Sequence, residues 1–188
     1  MRPLYTIRRL ATVSFAVLVL LGFTTQASVA DSPGPTGSAV ATRSDGTAVR
    51  LAAGADTATA EAAASNPQAV AAASTVCGGS YNTLAYIDAS LPGDTGAVSG
   101  SMAAYVGGGY LCVVFYNQTP GGANWMYLQA CPGTTTSSAC GYDSGTFSSY
   151  AGPVYITTGS GGCFTVAYLL ETEAETGYLV NGKESYSC

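Results

Sequence analysis

Leu111-Cys112-Val113-Val114-Phe115 is the stretch that decides the fold. The run is short, rich in β-branched and aromatic residues and apolar at both parities, so it reads as a strand covered on both faces, in the middle of a domain. On either side, aromatic and β-branched runs alternate with clusters of Gly, Pro, Asn and Ser, the pattern of strands and turns. Tyr81 to Ile87, Gly96 to Val106, Tyr110 to Tyr116, Trp125 to Ala130, Pro153 to Thr157 and Phe164 to Leu170 read as strands. Tyr178-Leu179-Val180 and Lys183-Glu184-Ser185 flank Asn181-Gly182, a pair that readily takes the positive φ angles of a type I′ turn, so a hairpin is expected there. No stretch beyond Val76 has a helical period. Seven or eight short strands over residues 76–188 predict an all-β fold, a small disulfide-stapled β-sandwich or open barrel.

All six cysteines, Cys77, Cys112, Cys131, Cys140, Cys163 and Cys188, lie inside that stretch. An even number confined to one domain predicts disulfides in an oxidising compartment. Their pairing is left open, but Cys131 and Cys140 enclose a Thr/Ser loop and suit a local bridge. A metal site is disfavoured, because there is no C-x-x-C spacing and no histidine to complete a zinc set. A catalytic thiol would lack its activating imidazole. No metal and no cofactor are implied.

Upstream the texture differs. Arg2, Arg8 and Arg9 precede an apolar run from Leu10 to Phe23, and Ser28-Val29-Ala30 supplies small residues, so residues 1–30 read as a secretory signal peptide cut after Ala30. The run is short of the roughly 20 apolar residues that span a bilayer, and no later segment qualifies. A soluble, secreted, extracellular protein is the expectation. Ile7-Arg8-Arg9-Leu10-Ala11 only loosely fits a twin-arginine address, and the ordinary export route suits it better. Residues 31–75 are Ala, Thr, Ser, Gly and Pro without aromatics, with Val40, Val49, Leu51 and Val70 as the large aliphatics. That is too little apolar surface to offset the entropy of ordering, so the segment reads as a disordered linker, a wall spacer or a removable pro-segment. Thr59 to Val70 favours helix, but Pro67 interrupts it, and short isolated helices are marginal.

The chain has six basic and eleven acidic residues and no histidine. Beyond Val76, Lys183 is the lone cation against Asp88, Asp94, Asp143, Glu171, Glu173, Glu175 and Glu184. Phosphate backbones are bound by Lys and Arg that displace counterions, so nucleic acid and anionic membranes are poor partners for this stretch and neither is expected. The missing histidine removes the usual proton shuttle and the commonest metal ligand.

Paired carboxylates can cleave glycosidic bonds without histidine, and Glu171, Glu173 and Glu175 alternate. Between Leu169-Leu170 and Gly177 they read instead as a solvated hairpin tip, and they lack the Asp/Gly spacing of a calcium loop. Lys183, directly after the Asn181-Gly182 turn, is placed in solvent rather than beside a nucleophilic serine. No catalytic residue is assigned. Thirteen tyrosines raise a different possibility, since a flat apolar ring with a polar tip stacks on sugars or packs on a partner. Tyr105, Tyr110, Tyr116, Tyr127, Tyr142, Tyr150, Tyr155, Tyr168 and Tyr178 sit in or beside the expected strands, and some must fill a core poor in Leu and Phe. Trp125 suits the anchor of such a surface, although a lone strand Trp is more often buried.

The segment Gly145-Thr146-Phe147-Ser148-Ser149-Tyr150-Ala151-Gly152-Pro153-Val154-Tyr155, followed by Cys163, resembles the spore-associated protein A family. These are small secreted proteins of spore-forming actinobacteria in which a Tyr-Ala-Gly-Pro-Val-Tyr segment precedes a cysteine. Cys77-Gly78, Cys112-Val113-Val114 and Cys188 fit the same order, while Tyr150 to Tyr155 is the specific part. Cys131, Cys140 and the long linker depart from the family pattern. The resemblance implies association with the spore or aerial-cell surface and carries no catalytic residues. From the residues alone, Gly152 and Pro153 form a structural corner, since glycine turns without a Cβ clash and proline fixes φ and pushes the residue before it toward extended geometry. Two functional expectations result: a secreted, non-catalytic spore- or cell-surface-associated protein, or a secreted binding module directed at carbohydrate, at cell wall or at another protein, as disulfide-rich protease inhibitors are.

Overall fold

The computed structural model describes residues 37–186, apart from 94–95, 121, 134–138, 159–161 and 172–177. The expected signal peptide and Cys188 lie outside the described residues. In chain order these form β1 (Ala39–Thr42), β2 (Ala48–Leu51), α1 (Thr57–Ser65), α2 (Pro67–Cys77), β3 (Thr83–Pro92), β4 (Val98–Gly107), β5 (Tyr110–Asn117), β6 (Asn124–Pro132), β7 (Gly141–Phe147), β8 (Tyr150–Thr157), β9 (Phe164–Glu171) and β10 (Tyr178–Tyr186).

The fold is mostly β, as expected, and its strands form two sheets. One has six strands in the order β1-β2-β3-β4-β5-β8, the other four in the order β10-β9-β6-β7. Leu111, Cys112, Val113, Val114 and Phe115 in β5 are all fully buried, because the larger sheet is covered on both faces. Met102, Ala104, Leu111, Val113 and Phe115 join Met126, Leu128, Ala130, Val166, Tyr168 and Leu170 of the smaller sheet in one apolar cluster. Leu84, Ala103, Tyr105, Cys112 and Val114 point the other way and join Val49, Ala63, Val70, Ala73 and Cys77 in a second. The two sheets therefore stack as a sandwich rather than closing into a barrel, with a helical layer on the far side of the larger sheet. Each fully buried Val, Leu or Phe contributes about 1.5–3 kcal/mol of hydrophobic stabilisation.

The expectation of an unstructured linker over residues 31–75 is corrected for Gly37 onward. β2 pairs with β3 in parallel, and a parallel pair needs a long crossover; α1 and α2 form it. Asp56 caps α1 by accepting from the Thr59 amide at 2.7 Å. Helix does form over Thr59 to Val70 and it is interrupted at Pro67, as expected: α1 ends at Ser65 and Pro67 opens α2, at the first position, where a missing N–H costs nothing. Alanine packs without bulk, so a segment poor in large aliphatics still orders here. Ala63 and Ala73 are buried with Val70, letting the helices sit close on the sheet, and Cys77 at the end of α2 is bonded to Cys112 of β5.

The expected turn at Asn181-Gly182 is also corrected. β10 runs straight through it, with Asn181 opposite Leu169 and Gly182 opposite Tyr168. A Cβ at position 182 would run into the Tyr168 phenol, so Gly182 is needed for close approach rather than for a turn. β10 pairs antiparallel with β9, and the expected tip bearing Glu173 and Glu175 lies outside the described residues. β7 was missed because Gly141-Tyr142-Asp143-Ser144-Gly145 has a turn composition. Its seven-residue register with β6 overrides that local preference. β8 begins at Tyr150, not Pro153.

Two disulfides are located, Cys77–Cys112 and Cys131–Cys140, the second being the expected local bridge. Cys163 is disulfide-bonded as well. No helix among the described residues is long and apolar enough to cross a membrane.

Candidate functional site

β6 alternates strictly from Trp125 to Ala130. Met126, Leu128 and Ala130 are fully buried in the core between the sheets, which sends Trp125, Tyr127 and Gln129 to the opposite face. In β7, Tyr142, Ser144 and Thr146 stand opposite Gln129, Tyr127 and Trp125 and are exposed. In β9, Leu169 and Glu171 stand opposite Tyr127 and Trp125. The outer face of the four-stranded sheet thus carries Trp125, Tyr127 and Tyr142 in a setting of hydroxyl, amide and carboxylate groups.

The three rings form a row. The Trp125 and Tyr127 centroids are 6.5 Å apart with planes 7° from parallel. Tyr127 and Tyr142 follow at 6.5 Å and 25°. Trp125 is 40% exposed and Tyr142 69%. Aromatic side chains exposed together among polar groups form a candidate interaction surface. Trp125 is therefore not in the interior position usual for a lone strand tryptophan. The sequence signal for the row was the i, i+2 spacing of Trp125 and Tyr127 around Met126, but Tyr142 was tied to it only by the unrecognised strand β7.

Comparison of the chain with family models, curated proteins and solved structures finds no match to any of them.

The other singled-out residues lie elsewhere. Tyr150, Ala151, Gly152, Pro153, Val154 and Tyr155 make up most of β8, the edge of the larger sheet beside β5. Between Phe115↔Ala151 and Val113↔Val154 the register shifts, a bulge made by Gly152 and Pro153. Gly152 has φ +99°, not the extended value expected before proline, and its amide donates to the Asp143 carboxylate at 2.7 Å. Ala151 and Val154 are buried. Tyr150 packs on Tyr116 at 5.6 Å. The Tyr155 ring meets Tyr81 at 5.4 Å, and its hydroxyl donates to the Cys77 carbonyl at 3.1 Å. The segment joins the sandwich edge to the end of α2. Burial first, then Tyr155 and Tyr110, raises the Tyr81 phenol above its ordinary value.

Tyr105 and Tyr168 are core residues. A cavity of about 170 Å³ between α2 and the larger sheet is lined by Ala69, Ala72, Ala73, Met102 and Tyr116 among others. Its polar lining is Ser101, Asn117 and Gln118, with Tyr116 as the ionisable group. Among the described residues no three His, Cys, Asp or Glu side chains gather as a metal site would require. The row thus brings exposed aromatic surface together with hydroxyl and amide groups at its sides, a combination of apolar body and polar tips.

Proposed function

We propose that this protein is an exported, non-catalytic surface module that attaches to polysaccharide through the outer face of β6, β7 and β9. The observation that carries the reading is the near-parallel row Trp125–Tyr127–Tyr142, exposed on a sheet whose other face is core. Sugar rings present flat C–H faces with hydroxyls around the rim, which matches aromatic planes flanked by Gln129, Ser144 and Thr146. The signal-like residues 1–30, the disulfides and the resemblance to the spore-associated family support a location outside the cell, at a spore or aerial-cell surface.

Pull-down on insoluble chitin, cellulose and isolated cell wall tests the attachment. Wild-type protein is expected in the pellet with at least one of them. A Trp125→Ala/Tyr142→Ala double variant with unchanged circular dichroism should lose about 30-fold in affinity, as for removal of an interface hot spot. Equal retention of the variant would reject the row as the site. Antibody fractionation of spores, aerial cells and medium tests the location, and protein found in the medium alone would reject it.

A further inference from the structure

The cavity of about 170 Å³ separates part of α2 from the larger sheet. On the helix side it is lined by Ala69 and Ala72, which are exposed, and by Ala73, which is buried with Ile87 of the sheet. Alanine leaves this space open where a leucine in the same turns of α2 would fill it. An apolar cavity of about 150 Å³ admits a benzene ring, so the space suits a single-ring molecule rather than one water.

The sheet side carries polar groups, and the register shows why. Ala103 and Val114 are paired and belong to the helix-side core, and Ser101 and Tyr116 are the next pair on that face, since side chains alternate along a strand. Ser101 is 7% exposed and accepts from the Gln118 amide at 2.8 Å, which leaves its own O–H to donate. The Tyr116 hydroxyl is enclosed with no partner among the described residues, a state that costs free energy until an acceptor arrives. Ser101, Tyr116 and Gln118 all line the cavity, and none of the described residues lining it is Asp, Glu, Lys or Arg. A charged ligand would be buried there without a counter-charge, at high cost.

We infer that this cavity binds a small, neutral, largely apolar molecule of single-ring size, whose one oxygen accepts a hydrogen bond from Tyr116. The site shares no residue with the aromatic row, so it stands or falls separately from the proposed attachment.

Titration of the full chain followed by methyl NMR tests it, with benzyl alcohol, toluene and benzoate as probes. Benzyl alcohol is expected to shift the Ala73 and Ile87 methyl signals saturably, with toluene about tenfold weaker for want of the oxygen. Benzoate should be weaker than benzyl alcohol by at least about tenfold. Tyr116→Phe should erase the preference for benzyl alcohol over toluene and leave toluene binding as it was, which a merely structural role for the hydroxyl would not do. Ala72→Leu, at an exposed helical position and with unchanged circular dichroism, should abolish binding of both. No saturable shift at Ala73 and Ile87 with any probe overturns the site, as does undiminished binding in Ala72→Leu. Benzoate bound as tightly as benzyl alcohol overturns the neutral class, and an unchanged preference in Tyr116→Phe overturns the role given to its hydroxyl.

Discussion

The Tyr105 hydroxyl in β4 donates a hydrogen bond to the Val70 carbonyl in α2 at 2.7 Å, with both residues fully buried. Tyr116, in the neighbouring strand, has its hydroxyl buried with no partner among the described residues. The same substitution should therefore act oppositely at the two sites. Tyr105→Phe is expected to cost about 1–1.5 kcal/mol, the net value of a hydrogen bond, whereas Tyr116→Phe should be neutral or stabilising by up to about 1 kcal/mol. Urea unfolding of the two variants measures both, and a larger loss at Tyr116 would contradict the hydrogen-bond assignment.

Alkaline pH should weaken the fold through the same pair. Burial, then Tyr116, raises the Tyr105 phenol far above the ordinary range; burial, then Tyr150, pushes Tyr116 up to about 12. In the unfolded chain both ionise near pH 10. Above that pH the folded state binds more protons than the unfolded, so stability falls as pH rises. The urea midpoint is expected to be insensitive to these groups below about pH 9 and to drop between about 10 and 12. Tyr116→Phe should make that drop shallower.

The two located disulfides should differ in weight. Cys77–Cys112 closes a separation of 35 residues and Cys131–Cys140 one of 9. Chain entropy gives about 4 kcal/mol for the first and about 2.5 kcal/mol for the second. Paired Cys→Ala variants, compared by thermal unfolding, should follow that order.

Gly152→Ala should be among the most damaging single substitutions outside the core. Its φ of +99° is one that side chains rarely adopt, and a Cβ would lie 2.8 Å from the Val113 carbonyl oxygen. A loss of about 2–4 kcal/mol is expected, read as a lowered urea midpoint. Asp143→Asn, which keeps an acceptor for the Gly152 amide, should cost less.

Residues 37–77 should resist removal. Deleting them would uncover Leu84, Ala103, Tyr105 and Val114, and a chain beginning after Cys77 is expected to aggregate or bind apolar dyes. Intact mass of the protein recovered from medium should retain this segment, and a stable, soluble product beginning near Val76 would refute its place in the core.

How much was legible follows from where the signals lay. β5 was readable because burial on both faces leaves an uninterrupted apolar run, and the bridge Cys131–Cys140 because its loop is local. Asn181-Gly182 misled because a sequence does not show that Tyr168 lies across from position 182, where only glycine fits. The helical crossover was hidden because alanine contributes little to a count of large apolar residues, yet Ala63 and Ala73 are as buried as Val70. Two of the three rings of the candidate site were present in the Trp125/Tyr127 alternation. Tyr142 joins it only through cross-strand pairing, which no local pattern announces.

The helical layer also gives the molecule a front and a back. With α1 and α2 covering one side of the larger sheet, the aromatic row lies on the opposite side of the stack, two sheets away from the helices. Molecules that settle on a polymer by that row would all lie the same way up, with their helices outward. A film of them would replace one surface with another of uniform orientation, presenting the alanine-rich helices to whatever arrives next.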